Sequence, residues 1–180
     1  MRRKRRGAGP NVVRRKAPLV HGREIRSSRA SVYNARLSSK FERQKFMHEA
    51  TRQLIERYYA AFNAQDTATF LGLLADDIVH EINQGNREFG KDAFAQFIKR
   101  MNNCYRERVT DLVIMTDDDG ARAAAEFTVI GTYVTTDRGL PPARGQNYQL
   151  SAGAFFSLRD GKILRIANYY NLQDWLAQVR

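Results

Sequence analysis

Four polar side chains stand in runs that are otherwise built for a core: Tyr58, His80, Asn83 and Asn168. A phenol aimed into apolar surroundings donates a hydrogen bond and stabilises a developing oxyanion. An imidazole, with an unperturbed pKa near ~6.5, takes up a proton close to neutral pH. An amide such as Asn168 orients a water or a carbonyl but does not act as a base. Together these types suit proton transfer beside a carbonyl group. Each also has a plainer role: a core aromatic with a tied hydroxyl, a hydrogen-bonded wall histidine, an amide satisfied within a sheet. The other reactive types are dispersed. Cys104 is the single cysteine, with no histidine near it in sequence, and reads as a small buried hydrophobe. His21, His48 and His80 are too scattered to hold a metal, and no phosphate loop, GxGxxG or nucleophile elbow is present. No cofactor and no metal are expected.

The elements that must position these groups follow from periodicity. Leu54, Ile55, Tyr58, Tyr59 and Phe62 have the spacing of one helix face. Asp66 is an N-cap for a second, shorter helix carrying Phe70, Leu71, Leu73 and Leu74. The ADD at 75–77 ends that helix, and IVHEIN is a strand with Ile78, His80 and Ile82 on one face. Tyr58 and His80 are thus both directed at one interior. Gly90 caps a third helix whose stripe of Phe94, Phe97, Ile98 and Met101 is core rather than a binding surface.

The pattern then changes to period two. Residues 106–115 alternate loosely through Val109, Leu112 and Ile114, and Asp-Gly marks a turn at 119–120. A long strand over 123–135 puts Phe127, Val129, Gly131 and Tyr133 on one side, with Gly131 marking a bend or a close approach. The two-proline loop 136–147 is a rim. Strands follow over 148–158 and 163–170, and Asn171 caps a terminal helix that lays Trp175 back over the domain. Three helices followed by hairpin-linked strands make an α+β chain with a largely antiparallel sheet.

Charge divides the chain. Of 30 Lys and Arg, 15 lie in residues 1–46 against only Glu24 and Glu42, a net +13. Residues 47–180 carry 15 against 17 acids, a net −2, so the basic character belongs to the extension alone. Residues 1–46 lack sustained periodicity and read as disordered. Three accounts of them compete: a nucleic-acid-binding arm, a mitochondrial transit peptide, or a segment upstream of a true start at Met47. The domain is 47–180. No apolar run reaches the ~18 residues of a membrane span, and no apolar segment follows the first basic cluster. A cytoplasmic protein with no membrane partner is expected, with nucleic acid as a partner only if the extension is present and functional.

The run Arg57, Tyr58, Ala61, Asn63, Asp66, then Leu74, Ala75, Asp76, Asp77, Val79, resembles the opening of the SnoaL-like and ketosteroid-isomerase-like branch of the nuclear-transport-factor-like cone fold. INQG, ARGQ, GAFF, DGKI and NYYNLQDW extend the resemblance over about residues 48–177. It implies a curved antiparallel (mixed) sheet and three N-terminal helices forming a cone around one apolar pocket, plus a short C-terminal helix. In this likeness Tyr58 matches the tyrosine that polarises a substrate carbonyl. The isomerase base falls at Ile82, and the second acid at Gly153 or Ala154, so two of the three isomerase groups are missing. The charges of epoxide-hydrolase relatives fall near Phe127 and Val129 and at Asn168, all neutral here. What remains is a mostly uncharged, aromatic pocket. Tyr58, His80 and Asn168 are its catalytic candidates. Phe62, Asn83, Phe127, Val129, Tyr133, Tyr170 and Trp175 are its ligand-binding candidates. A small apolar molecule is the expected partner, bound by an enzyme of proton transfer or by a non-catalytic module. The resemblance also implies a homodimer through the outer sheet face, with Val79, Glu81, Glu126, Thr128, Ile130 and Thr132.

Overall fold

The computed structural model of the chain describes residues 22–83 and 85–180, with side chains from Val32 onward. The chain divides into two units between Ser39 and Lys40. Within the first, the described residues are helical; the second carries the sheet. Helix α1 is Gly22–Asn63. The expectation of disorder over 1–46 therefore does not hold from Gly22 onward; residues 1–21 lie outside the described residues. The reason is cooperativity. A helix is costly to start and cheap to extend. From Ile55 to Ala61 α1 is anchored by buried Ile55, Tyr58, Tyr59 and Ala61. The preceding Arg, Ala, Ser, Lys and Glu residues are helix formers with no proline to stop them. Between Val32 and His48 no side chain is buried.

Helix α2, Thr67–Gly72, is capped as expected: the Asp66 side chain accepts from the Thr69 N–H at 3.0 Å. Strand β1, Leu74–Glu81, starts earlier than periodicity predicts. Leu74 pairs with Ile163 and the Leu73 carbonyl accepts from the Ile163 N–H, so backbone pairing captures residues assigned to the helix. Between Leu74 and Val79 the register shifts, and Asp76 and Asp77 bulge outward to Lys91 and Arg159. These exposed ion pairs contribute little stability. Strand β2, Arg87–Phe89, precedes α3, Lys91–Cys104. Then come β3, Tyr105–Thr116, β4, Arg122–Tyr133, β5, Gln146–Arg159, β6, Lys162–Tyr170, and α4, Leu172–Val179.

The six strands form one curved, unclosed sheet in the order β2-β1-β6-β5-β4-β3. Its pairs are antiparallel except β1 with β6, which is parallel. In β3 Asp111 takes a φ of 54°, and the register slips between Thr110 and Val113. One extra residue there reverses which parity faces inward. Glu107 and Val109 point in before it, Leu112 and Ile114 after it; that is the cause of the loose alternation.

Two buried clusters result. The larger packs α1, α2 and α3 on the sheet through Ile55, Tyr58, Phe70, Phe94, Phe127 and Phe156. The smaller gathers Tyr105, Tyr133, Tyr148, Leu150, Trp175 and Val179 beneath α4, whose Asn171 cap accepts from Gln173 and Asp174 N–H groups. Because no side chain from Val32 to Phe46 is buried, a chain beginning at Met47 is expected to melt within a degree or so of the full chain. Differential scanning calorimetry of the two checks this; a clearly lower melting temperature of the short form would refute it.

Candidate functional site

A cavity of about 240 Å³ opens where the two clusters meet, walled by α1, α3, the inner sheet face and the rim loop. His80 is deepest in its polar wall, with 1% exposure. Its position is set by strand alternation in β1, which places Ile78 and His80 inward together. The ring is held between Phe94 and Phe97, at centroid distances of 4.6 and 4.5 Å. Nδ1 lies 3.4 Å from Glu88 Oε2 on β2, and Nε2 lies 3.1 Å from Asn168 Nδ2 on β6.

Burial holds the His80 pKa below the ordinary histidine range, opposed by Glu88 and assisted by Arg100. The ring is therefore neutral near pH 7. A carboxylate only accepts, so the proton belongs on Nδ1 and the Nε2 lone pair accepts from the Asn168 amide.

Tyr58 lines the same cavity, stacked on Phe70 at 4.4 Å and edge-on to Phe156. Burial pushes its hydroxyl far above the usual tyrosine pKa, so it is a neutral donor. Tyr59, next along α1, also lines the cavity. Its hydroxyl is buried and has no hydrogen-bond partner among the described residues. A wide helical stripe admits both tyrosines, and nothing in the spacing separates them.

Phe62, Phe127, Val129, Tyr170 and Trp175 reach the lining, as does Asn83, whose Nδ2 donates to the Tyr170 carbonyl at 2.8 Å. Tyr133 does not. Its ring lies behind the wall, stacked on Tyr105 at 5.3 Å and edge-on to Trp175, and its hydroxyl accepts from the Asp137 N–H at 2.7 Å. The inward parity of β4 is right for Tyr133, but the smaller cluster covers that end of the strand. The α3 stripe also differs from expectation: Phe94, Phe97, Ile98 and Met101 are core and cavity wall at once.

The pocket is mostly uncharged, as expected, but three charged residues that the sequence reading did not place there, Glu107, Arg100 and Asp137, line it. Tyr105 Oη donates to Asp137 Oδ2 at 3.1 Å, and Arg100 Nε lies 4.0 Å from the same oxygen. Tyr148 Oη donates to Glu107 Oε1 at 2.6 Å. Burial raises the Glu107 carboxyl above the usual range, against the lowering effect of Tyr148. The signal for Glu107 was present in the sequence, two residues before inward Val109 on the same strand.

The SnoaL-like domain model matches residues 55–166, which includes every strand but the end of β6. The chain belongs to the SnoaL-like domain family. Among solved structures, a candidate polyketide cyclase from Pseudomonas putida KT2440 is 58% identical, with 73% of this chain and 98% of that chain covered and a TM-score of 0.71. Another from Xanthomonas campestris pv. campestris is 51% identical, covering 74% and 99%, with a TM-score of 0.73. A phenazine biosynthesis-related protein from Pseudomonas aeruginosa, 21% identical with a TM-score of 0.65 over 77% and 90%, shares the fold. No curated protein matches the chain in sequence. No helix among the described residues is long and apolar enough to cross a membrane.

The lowered His80 pKa fixes a sign. Below the unfolded pKa of ~6.5 the unfolded chain binds a proton that the folded chain does not, so stability falls with falling pH. The loss continues down to the folded pKa and stops there. His80→Gln is expected to flatten this part of the profile, measured by urea midpoints at half-unit steps from pH 7 to 5. An unchanged slope would contradict the assignment.

Proposed function

We propose that this SnoaL-like protein binds a small, largely apolar carbonyl compound in the cavity and moves a proton on it, as a cyclase or isomerase does. The observation that carries the reading is His80. It is a neutral imidazole in an aromatic wall, with a carboxylate behind one nitrogen and the Asn168 amide at the other. Tyr58 is the donor for the carbonyl oxygen, where a fixed donor is worth ~10²–10³ in rate. The volume, about 240 Å³, is below the ~300 Å³ at which pockets for drug-sized ligands begin, which favours a bicyclic rather than a tetracyclic compound. The polyketide-cyclase description of relatives at 51% and 58% identity agrees with carbonyl chemistry.

One observation favours a second reading, a binding module without turnover: both ring nitrogens of His80 already have partners. Exchange of the α-protons of 2-tetralone for deuterium, followed by NMR, separates the two. The enzyme reading expects acceleration by the wild type that rises with pH through the lowered His80 pKa and then levels. His80→Ala is expected to lose ~10²–10⁴ of the acceleration and Tyr58→Phe ~10²–10³. Binding of 2-tetralone without any acceleration would support the module. Isomerisation of a delta-five steroid is expected to be negligible, since Ile82 and Gly153 or Ala154 stand where its base and second donor belong; efficient turnover would refute this.

We propose further that the outer sheet face joins two copies. Val113, Met115, Ile130, Phe155 and Tyr169 are exposed there, Phe155 and Tyr169 by about half and touching edge-on at 5.7 Å. An exposed apolar patch of this kind marks an interaction surface. Sedimentation velocity at micromolar concentration is expected to give a dimer that Phe155→Asp dissociates; a wild-type monomer would end the proposal.

A further inference from the structure

Glu107 has no part in the proton transfer assigned to His80, yet the fold takes care to hold it in the cavity. Glu107, Gly131 and Tyr148 form one cross-strand row on β3, β4 and β5. A Cβ at position 131 would lie 2.3 Å from Tyr148 Cζ and 2.5 Å from its Oη, far inside contact distance. The absent side chain is what lets the Tyr148 ring lie across the middle strand and reach the carboxyl two strands away. A glycine in a strand interior weakens the strand, so its presence here goes with the close approach.

The bond engages only one oxygen. Oε1 accepts from Tyr148, whereas Oε2 has no hydrogen bond, and Glu107 has no ion-pair partner, among the described residues. The nearest cation on the wall, Arg100, lies beside Asp137 instead. Oε2 is not sealed in protein, since among the described residues Tyr59 Oη is the buried side-chain atom left without a partner and Glu107 lines the cavity. A ligand that displaces water there must replace its hydrogen bond or leave the oxygen unpaired. The other groups whose charge bears on it are hydroxyls, those of Tyr148 and Tyr170. Burial raises the carboxyl pKa, as expected of a group with no cation to pair with.

His80 and Glu107 are on β1 and β3, separated in the sheet by β6, β5 and β4, and both face the one cavity. A ligand carbonyl beside His80 and Tyr58 therefore leaves Glu107 to meet a different part of the molecule. We propose that Glu107, oriented by Tyr148 across Gly131, is a specificity-determining residue that binds a hydroxyl of the ligand remote from its reacting carbonyl. The ligand is then a hydroxylated cyclic ketone, or the enol of a polyketone, rather than a compound with a single polar group. This rests on the reading of the cavity as a carbonyl-compound site and narrows its substrate class. A site built to hydrogen-bond a hydroxyl discriminates strongly against the analogue lacking it, because its own buried group is then left unpaired.

The test compares affinities and needs no turnover. Binding of 2-tetralone and of its four aromatic-ring hydroxy derivatives is measured by calorimetry at pH 7 on the full chain. At least one hydroxy derivative is expected to bind the wild type ~10-fold tighter than 2-tetralone, the upper end of what one net hydrogen bond contributes. Glu107→Leu with Tyr148→Phe replaces both partners by apolar groups and is expected to fold, because neither is left unsatisfied. In that variant the affinity ratio should fall to about one. Glu107→Gln, which keeps a partner for Tyr148, should give an intermediate ratio. Equal binding of all five compounds by the wild type, or a ratio that survives in the double variant, would overturn the proposal. Failure of every compound to bind would instead remove the carbonyl-site reading beneath it.

Discussion

A space of about 240 Å³ kept open between two aromatic cores is the condition on which the rest of this structure depends. A closed, dry void costs ~24 cal/mol per Å³, about 6 kcal/mol for one this size, comparable to the whole stability of an ordinary domain. The partly open mouth, which admits water, lessens that cost without removing it. The walls must therefore hold without support from within. Both do so with stacked, tilted and edge-on rings: Tyr58, Tyr59, Phe70, Phe94, Phe127 and Phe156 on one side, Tyr105, Tyr133, Tyr148 and Trp175 on the other. Rings keep their shape at little entropic cost and resist collapse into the space.

The same low-polarity wall acts on the charges it holds. Burial lowers the pKa of His80 and raises those of Glu107, Tyr58 and Tyr148. All four shifts favour the neutral form, through one cause, desolvation. An uncharged guest suits such walls better than an anion or a cation, in agreement with the carbonyl compound proposed. The fold alone does not decide this, since one architecture carries many chemistries.

Much of the architecture was legible in the residues. The Asp66 and Asn171 caps, the inward pair Ile78 and His80 and the β4 face follow from local rules, and the structure has each of them; of the two readings of Gly131, a bend or a close approach, it shows the close approach. What escaped depends on distant partners. The start of β1 is decided by Ile163, and the β3 bulge at Asp111 by register with β4. That bulge hid Glu107: alternation counted backward from Leu112 puts it outside, and counted from Val109 puts it inside. Tyr133 failed in the opposite way. Its face was right, but only the packing of α4 tells whether an inward residue meets space or another ring.

The parallel pairing of β1 with β6 has a consequence in time. β6 follows the other five strands in the chain, yet it sits between β1 and β5 in the sheet, and the contact of His80 with Asn168 spans 88 positions of chain. Pairings between such distant segments carry the loop-closure entropy that slows folding. Until residues 162–170 emerge, β1 has only the three-residue β2 beside it, and the hairpin ladder β3-β4-β5 has an open edge. The cavity therefore does not form gradually along the growing chain; the His80–Asn168 side of its wall and the continuous sheet are completed together when β6 inserts. Until then the sheet has an open edge of the kind that invites mispairing, so its assembly waits on the insertion of β6.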